Sequence, residues 1–479
     1  MKASPVAMRS PEEQEKRVDV WRWAVAVLVS MAVFLDTVDV SIINVALPNL
    51  QRDLHLTTTE LQWVQGAYVL TNAGLQLLGG RAADLLGRRR IFLIGIALFG
   101  LSSLTGGLAH SGWLLILARG VQGIGAAMMF PAAVSIITTT FAEGPDRSKA
   151  LGIFTATAGA GFSLGLVVGG LLTSFISWHW VFFVNVPVAV LIVVLGLLIV
   201  PKGRSALVTR SYDLPGAITV TAGLLLLVYA ITQANDSGAT LGKTAGLLLF
   251  ALLLLIVFIL IEQRSKEPLM PLRIFRASTI RSANVAFLTL LGSFFGFLFI
   301  FTLYLQDVLH YSPIDASLTL LPGSLVSILA ARFAAPWLVN RMGMKLSCVI
   351  SLLCMVSGIA LFARVGTSSD YIGTILPTVI LTNIAMSIGN TALSLAGVSG
   401  IEATEQGLAA GLQGAVGAAG GGLGLAIVAA VIAMTTTAAM GATAVPTIAA
   451  QLGGFHAGLL VAAALAAFGA LIALIGIRK

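Results

Sequence analysis

Long apolar runs constrain the fold of this chain more than any other feature of its sequence. Fourteen such runs follow one another with short polar segments between them, and 57% of all residues are hydrophobic whereas only 10% are charged. A helix needs about 20 apolar residues to cross a bilayer, and the backbone must satisfy its own hydrogen bonds there. The pattern therefore predicts an all-α integral membrane protein with fourteen spans and no sizeable soluble domain.

The ends of the predicted spans are accurate to within about 2–4 residues. They are 22–46, 59–79, 90–109, 112–136, 148–171, 180–200, 213–232, 243–262, 279–305, 315–338, 345–363, 371–395, 406–432 and 455–476. A Gly-rich run at 411–424 leaves the thirteenth span open to interpretation as a loop.

The distribution of basic residues predicts the orientation of these spans. With the N-terminus inside, 23 of the 28 Lys and Arg residues fall in cytosolic segments, and only Arg52, Lys243 and Arg364 fall in outer loops. This is the positive-inside pattern, so we expect a multi-pass protein of a bacterial cytoplasmic (inner) membrane with both termini cytosolic. The net charge of +8 then reflects topology and anionic lipids, and we expect no nucleic-acid partner.

A short basic loop occurs twice and predicts two related halves. GRAADLLGRRR at 80–90 follows the second span, and PWLVNRMGMK at 336–345 follows the tenth, which aligns Gly87 with Gly343. Copies eight spans apart predict two six-helix bundles with two additional transmembrane helices between them, and duplicated halves are common in transporters. The expected divisions are a cytosolic tail at 1–21, an N-terminal bundle at 22–200, linkers with spans seven and eight at 201–278, and a C-terminal bundle at 279–479.

Two acids lie inside the first span. The segment FLDTVDVSIINVALP at 34–48 holds Asp36 and Asp39 one helical turn apart, with Asn44 further along as a group that can orient cargo or water. A charge at that depth costs on the order of 2.5–3.5 kcal/mol, so intramembrane acids usually face a partner or a cavity. Because burial and a second carboxylate both disfavour the charged form, the pair is suited to carry protons.

Arg119 in the fourth span is the predicted partner of these acids. It lies at a similar depth, and Gln122 lies one turn away from it. A guanidinium stays charged in such a setting and must be compensated. We expect Arg119 to tune Asp39 or Asp36 so that cargo binding favours proton release. A static ion pair that holds spans one and four together is the simpler alternative.

Five segments resemble the motifs of one transporter family. DVSIINVALP at 39–48 resembles its first-helix motif, GRAADLLGRRR its loop motif and LARGVQGIGAA at 117–127 its fourth-helix arginine motif. WHWVFFVNVP at 178–187 and YLQDVLHYSPIDASLTLLPGSL at 304–325 resemble its segments before the sixth span and between the ninth and tenth spans. On these residues the chain resembles the major facilitator superfamily and, within it, the fourteen-span drug:proton antiporters.

The resemblance implies proton-coupled export of small amphipathic compounds, cationic or neutral, by alternating access. It implies no cofactor beyond the proton gradient, and it favours Asp39 over Asp36 as the proton carrier because Asp39 fills the motif position. An exporter of one metabolite, antibiotic or lipid remains an alternative, as does a facilitator without proton coupling. A membrane-embedded enzyme is disfavoured, because the sequence shows no catalytic or metal-ligand cluster. We expect a monomer.

A second set of residues is predicted to serve conformational change. In the fifth-span segment GFSLGLVVGG at 161–170, glycines permit close helix packing, although Leu166 stands where the family usually has proline. Charged pairs of the loop motif can latch the halves in one conformation, and a plain topology anchor is an equal alternative. The predicted gating residues are Gly80, Asp84, Gly87, Arg88, Arg89, Gly161, Gly165, Gly169, Asn340 and Gly343.

Overall fold

The computed structural model describes an all-helical chain over residues 11–142, 145–201, 213–233, 241–265, 268, 275–397, 399, 406–440 and 447–477. Much of the predicted N-terminal tail and of the two linkers at 201–216 and 262–276 lies outside these residues. The helices are α1 (Pro11–Asp53), α2 (Thr58–Leu86), α3 (Arg88–Gly107), α4 (Gly112–Thr140), α5 (Pro145–Phe175), α6 (Trp180–Phe183), α7 (Asn185–Ile199), α8 (Leu214–Gln233), α9 (Leu241–Arg264), α10 (Ser278–Leu303), α11 (Pro313–Leu329), α12 (Ala335–Phe362), α13 (Leu376–Gly397), α14 (Gln406–Met440) and α15 (Ile448–Gly476). Single π-helical turns at Tyr304–Val308, Ala330–Ala334 and Tyr371–Ile375 extend or join some of them.

Each predicted span falls on helix, but the count of spans is a separate matter. Ten stretches within the described residues are long and apolar enough to cross a membrane, and one of them, Pro313–Phe362, has 50 residues and is long enough for two passes. The number fourteen therefore stays a prediction. The Gly-rich run at 411–424 is helical and belongs to α14, which excludes the loop interpretation.

The turn after the second span and its copy after the tenth share one backbone feature. Gly87 (φ 101°), between α2 and α3, and Gly343 (φ 80°), within α12, are the glycines of the described chain with positive φ. A Cβ at either position would meet nothing within 4 Å, so the torsion and not space requires glycine. The aligned glycines therefore break the helix in the same way in both halves.

The turns at the opposite end of the bundle are repeated as well. His55 and His310 adopt φ of 52° and 54°, and each is followed two residues later by a helix N-cap. Thr57 caps α2 in a reciprocal box with Glu60, and the Ser312 hydroxyl accepts from the backbone N–H three residues on to cap α11. This second repeat, which the sequence analysis did not detect, supports the division into related halves.

The described helices pack in groups. In the first half α1 packs along α5, α2 and α3 pack against α4, and α7 packs against α1 and α3; in the second, α10 packs against α14 and α15, and α12 against α13 and α15. The additional helices α8 and α9 pack against each other, and α8 lies against α2 and α14. Contacts between the halves run through α2 with α14 and α5 with α11.

Two hydrogen bonds join the halves at the predicted outer end. Gln306 Nε2 donates to the carbonyl of Val45 at 2.9 Å, and the backbone N–H of Ile314 donates to Ser174 Oγ at 3.1 Å. The second contact is close because Gly170 of α5 faces α11, where a Cβ would lie 2.9 Å from the Ile314 Cα. The two halves are therefore in direct contact at this end.

Candidate functional site

Asp39 and Arg119 form a buried ion pair between α1 and α4. Arg119 Nη1 lies 2.5 Å from Asp39 Oδ2, and each side chain is only 1% exposed. Arg119 Nε also donates to the carbonyl of Val64 in α2 at 3.0 Å. Removing one partner of such a pair leaves an uncompensated buried charge, which is strongly destabilising. The pair therefore ties α1, α2 and α4 together at this depth.

Two amides complete the hydrogen bonding of the Asp39 carboxylate, and one hydroxyl in turn accepts from both amides. Gln122 Nε2 and Asn185 Nδ2 each donate to Asp39 Oδ1 at 2.7 Å, and Gln122 Oε1 accepts from Arg119 Nη1 at 2.7 Å. Ser103 Oγ accepts from both amides, at 2.8 and 3.2 Å. Gln122 was predicted from its spacing, whereas Asn185 and Ser103 were missed. Asn185 stands in the quoted segment 178–187, where a lone amide at the start of an apolar helix was the available signal.

Asp36 lies outside the ion pair but is connected to it through Tyr68. The Tyr68 hydroxyl donates to Asp36 Oδ1, and the Arg119 Cζ lies 4.4 Å from the centroid of the Tyr68 ring, which is cation–π geometry. Tyr68 is 2% exposed, whereas Asp36 keeps part of its surface open. Of the two acids, Asp36 is therefore the reachable one and Asp39 is sealed.

Asn44 is turned toward α2. Its Nδ2 donates to the carbonyl of Val40 at 2.7 Å, and its Oδ1 accepts from Gln65 Nε2. The side chain is 1% exposed, so in this conformation it ties α1 to α2 and is closed to cargo or bulk water. Gln65 and Tyr68 were both missed, and their spacing of three in an apolar span was the signal that could have found them.

The predicted glycines of α5 lie against α1. Cβ atoms at Gly161, Gly165 and Gly169 would approach carbonyl oxygens of α1 to 2.9, 2.7 and 3.0 Å. Leu166, which replaces the usual proline, is 1% exposed and belongs to the buried core. The small residues thus let α5 pack closely against α1.

The loop-motif residues lie at the other end of α2. Gly80 faces α4, and Arg88 is the first residue of α3. Arg89 donates to a backbone carbonyl of α7, a contact within the N-terminal half. Asn340 is exposed on α12, and the side chain of Asp84 lies outside what the structure describes. The predicted latch between the halves stays a prediction.

The sequence matches known transporters over most of its length. The family model described as Major Facilitator Superfamily matches residues 29–425. The chain is 38% identical over 427 residues to the puromycin resistance protein pur8 of Streptomyces alboniger, covering 88% of this chain and 83% of that protein. It is 38% identical over 408 residues to the cephamycin export protein CmcT of Amycolatopsis lactamdurans, covering 84% and 83%. The multidrug resistance protein Stp of Mycobacterium tuberculosis is 31% identical over 410 residues, covering 86% and 76%.

Solved structures share the fold at low sequence identity. A bacterial homologue of the human lysosomal transporter Spinster, in an inward-facing and unoccupied conformation, superposes with a TM-score of 0.67 at 17% identity, covering 96% of this chain and 97% of that one. The xylose transporter XylE from E. coli gives 0.60 at 16% identity, covering 94% and 97%. These superpositions confirm the predicted all-α fold, and the family match shows a membrane transporter, a class that is not enzymatic and needs no cofactor. The chain belongs to the major facilitator superfamily.

Proposed function

We propose that this protein exports small amphipathic compounds, cationic or neutral, in exchange for protons. The bundles at 22–200 and 279–479 would alternate access to a site between them, with the additional helices at 201–278 packed beside α2 and α14. One observation carries the proposal: a saturated, buried ion pair, Asp39–Arg119, stands beside a second acid, Asp36, that keeps part of its surface open. Intramembrane ionisable groups of this kind mark proton and substrate pathways.

The charges of the cluster support exchange in place of simple binding. With both acids ionised, Asp36, Asp39 and Arg119 together carry one net negative charge in a setting where an unpaired charge is costly. The cluster becomes neutral when it holds either one proton or one monovalent cation, so the two compete. Exchange of one proton for one monovalent cation moves no net charge, whereas exchange for a neutral compound moves one charge, worth about 2.3 kcal/mol per 100 mV.

The contacts between the halves support an inward-facing starting state. The hydrogen bonds of Gln306 and Ile314 close the predicted outer end. Cargo would then reach Asp36 from the cytosolic side, displace the proton and allow the halves to rock. The proton would return from the outside after cargo release and reset the cluster.

A second candidate function is export of one particular antibiotic or metabolite. It is favoured by the names of several relatives, which mention puromycin, cephamycin, lincomycin or tetracenomycin C and come from Streptomyces or Amycolatopsis. The relative named for multidrug resistance favours the broader range. Resistance profiles of cells expressing the protein separate the two: protection against several unrelated amphipathic drugs supports the first, and protection against one compound supports the second.

Transport in everted membrane vesicles with an imposed pH gradient tests the coupling. We expect the wild type to accumulate ethidium when the lumen is acidic, and Asp39→Asn, Asp36→Asn and Arg119→Ala to lose this accumulation. Asp19→Asn is the matched control, because Asp19 lies on the same helix in an exposed pair with Arg22 at 3.7 Å. Accumulation of ethidium by Asp39→Asn would mean that coupling does not need this carboxylate and would reject the proposal, whereas a wild type that only equilibrates ethidium would point to a facilitator without proton coupling.

A further inference from the structure

We infer that Tyr68 is the positioning residue that couples the partly exposed Asp36 to the buried Asp39–Arg119 pair. The inference rests on the proposed exchange and adds a residue and a division of labour to it: Asp36 binds the cationic cargo or the proton that competes with it, the Asp39–Arg119 pair responds to which of them is bound, and Tyr68 links the two. From the sequence alone, no role was assigned to this tyrosine.

The geometry gives Tyr68 two separate contacts. Its hydroxyl donates to Asp36 Oδ1, while its ring face covers the guanidinium of Arg119 at 4.4 Å. The ring is 2% exposed and lies against an ion pair whose side chains are each 1% exposed. One side chain thus contacts both the Asp36 carboxyl and the buried pair.

The surroundings leave few other groups that could set the charge of Asp36. The titratable or charged side chains that face it are Tyr68 on α2, Asp39 on its own helix and Arg119 on α4. The other helices packed against α1 are α5, α6, α7, α10 and α11, and within the described residues α6 and α7 carry no charged side chain. The described charged side chains of the remaining three lie toward their ends and are Asp146, Arg147 and Lys149 on α5, Arg281 on α10 and Asp315 on α11.

The two contacts make distinct contributions to coupling. A hydrogen bond donated to a carboxylate favours its ionised form, so the hydroxyl keeps Asp36 ready for a cation. When a proton neutralises Asp36, the hydroxyl loses its charged acceptor and the hold on the ring over Arg119 weakens, whereas a bound cation leaves the carboxylate ionised. The occupancy of Asp36 is thereby transmitted to the Asp39–Arg119 pair.

Two substitutions separate these contributions in the vesicle assay. Tyr68→Phe keeps the ring and loses the hydroxyl, and we expect its KM for ethidium at a cytosolic-side pH of about 6.5 to rise roughly tenfold, the effect of one hydrogen bond to a charged group. At a pH of about 8.5 the KM returns toward that of the wild type, because fewer protons compete for Asp36. Tyr68→Leu loses the ring as well, and we expect proton leak without cargo.

Matched controls keep these outcomes interpretable. Tyr304→Phe removes the hydroxyl of another buried tyrosine, which donates to Gly366 O at 3.0 Å and to Ser369 Oγ at 2.6 Å, far along the other half. We expect it to leave the KM at both pH values unchanged. In an Asp36→Asn background, which we expect not to accumulate ethidium, Tyr68→Phe should have no further effect on the Kd for ethidium binding to the purified protein, because the carboxylate it serves is gone.

The inference is overturned if Tyr68→Phe leaves the KM unchanged, raises it equally at both pH values, or weakens ethidium binding further in the Asp36→Asn background. These results leave the proposed exchange standing as long as the wild type responds to the pH gradient and Asp39→Asn does not. If the wild type itself ignores the gradient, the proposed function fails and the inference fails with it.

Discussion

The buried pair between α1 and α4 makes a sharp prediction about stability. Asp39→Asn removes the carboxylate that lies 2.5 Å from Arg119 Nη1 and leaves a guanidinium that is 1% exposed. Breaking a buried pair by removing one partner costs roughly 3–5 kcal/mol. Asp36 stays close to the same guanidinium through Tyr68, which partly compensates its charge. We therefore expect a loss of about 3 kcal/mol in the free energy of unfolding.

Removing the second charge should recover most of that loss. In Asp39→Asn/Arg119→Gln no uncompensated guanidinium remains, so we expect a stability within about 1 kcal/mol of the wild type, since uncharged replacements of buried pairs are often near neutral. Asp19→Asn breaks an exposed pair at 3.7 Å with side chains 62% and 41% exposed, and it should cost roughly 0.2–1 kcal/mol. Reversible unfolding by SDS titration in mixed micelles measures all three variants.

Two results would refute this reasoning. One is a single Asp39→Asn variant that unfolds like the Asp19→Asn control. The other is a double variant no more stable than the single one, which would mean that the lost hydrogen bonds and not the stranded charge set the cost. The same double variant tests the static interpretation of the pair: if it exported ethidium against its gradient, the pair would be a structural tie and not part of the coupling.

Three further predictions concern packing, torsion and pH. Gly165→Ala should lower the free energy of unfolding by roughly 1–3 kcal/mol through overpacking, because its Cβ would lie 2.7 Å from a backbone oxygen of α1. Gly152→Ala on the same helix would meet nothing within 4 Å and should leave the stability unchanged. SDS titration compares the two variants. Gly87→Ala and Gly343→Ala should each lower the free energy of unfolding by more than about 1 kcal/mol, because φ is 101° and 80° at these positions. A variant as stable as the wild type would contradict this. Burial lowers the pKa of His179 from 6.5, so the unfolded chain binds this proton more readily and stability falls as the pH drops below about 6.5. His179→Gln should show a smaller loss between pH 7.5 and pH 5 in the same titration, and an unchanged loss would exclude this histidine as its cause.

The sequence by itself determined the kind of protein. Apolar runs long enough to span a bilayer force helices, because lipid offers no partner for a free backbone group, and the basic loops orient them. The charged cluster was accessible to the same logic: Asp36, Asp39 and Arg119 cost too much in hydrocarbon to stand alone, so a partner had to exist. The alignment of Gly87 with Gly343 marked the repeated loop, although their positive φ became visible only in the structure.

Tertiary structure alone decided which acid pairs with the arginine and which stays open. Asp36 and Asp39 lie on one face of α1 and at similar depth, so helix periodicity treats them alike. The choice depends on Tyr68, which inserts its ring beside Arg119 and gives its hydroxyl to Asp36, and on Asn185, which reaches Asp39 from a helix 146 positions away along the chain. Contacts of that range follow from how the helices pack, and no local pattern in a single sequence encodes them.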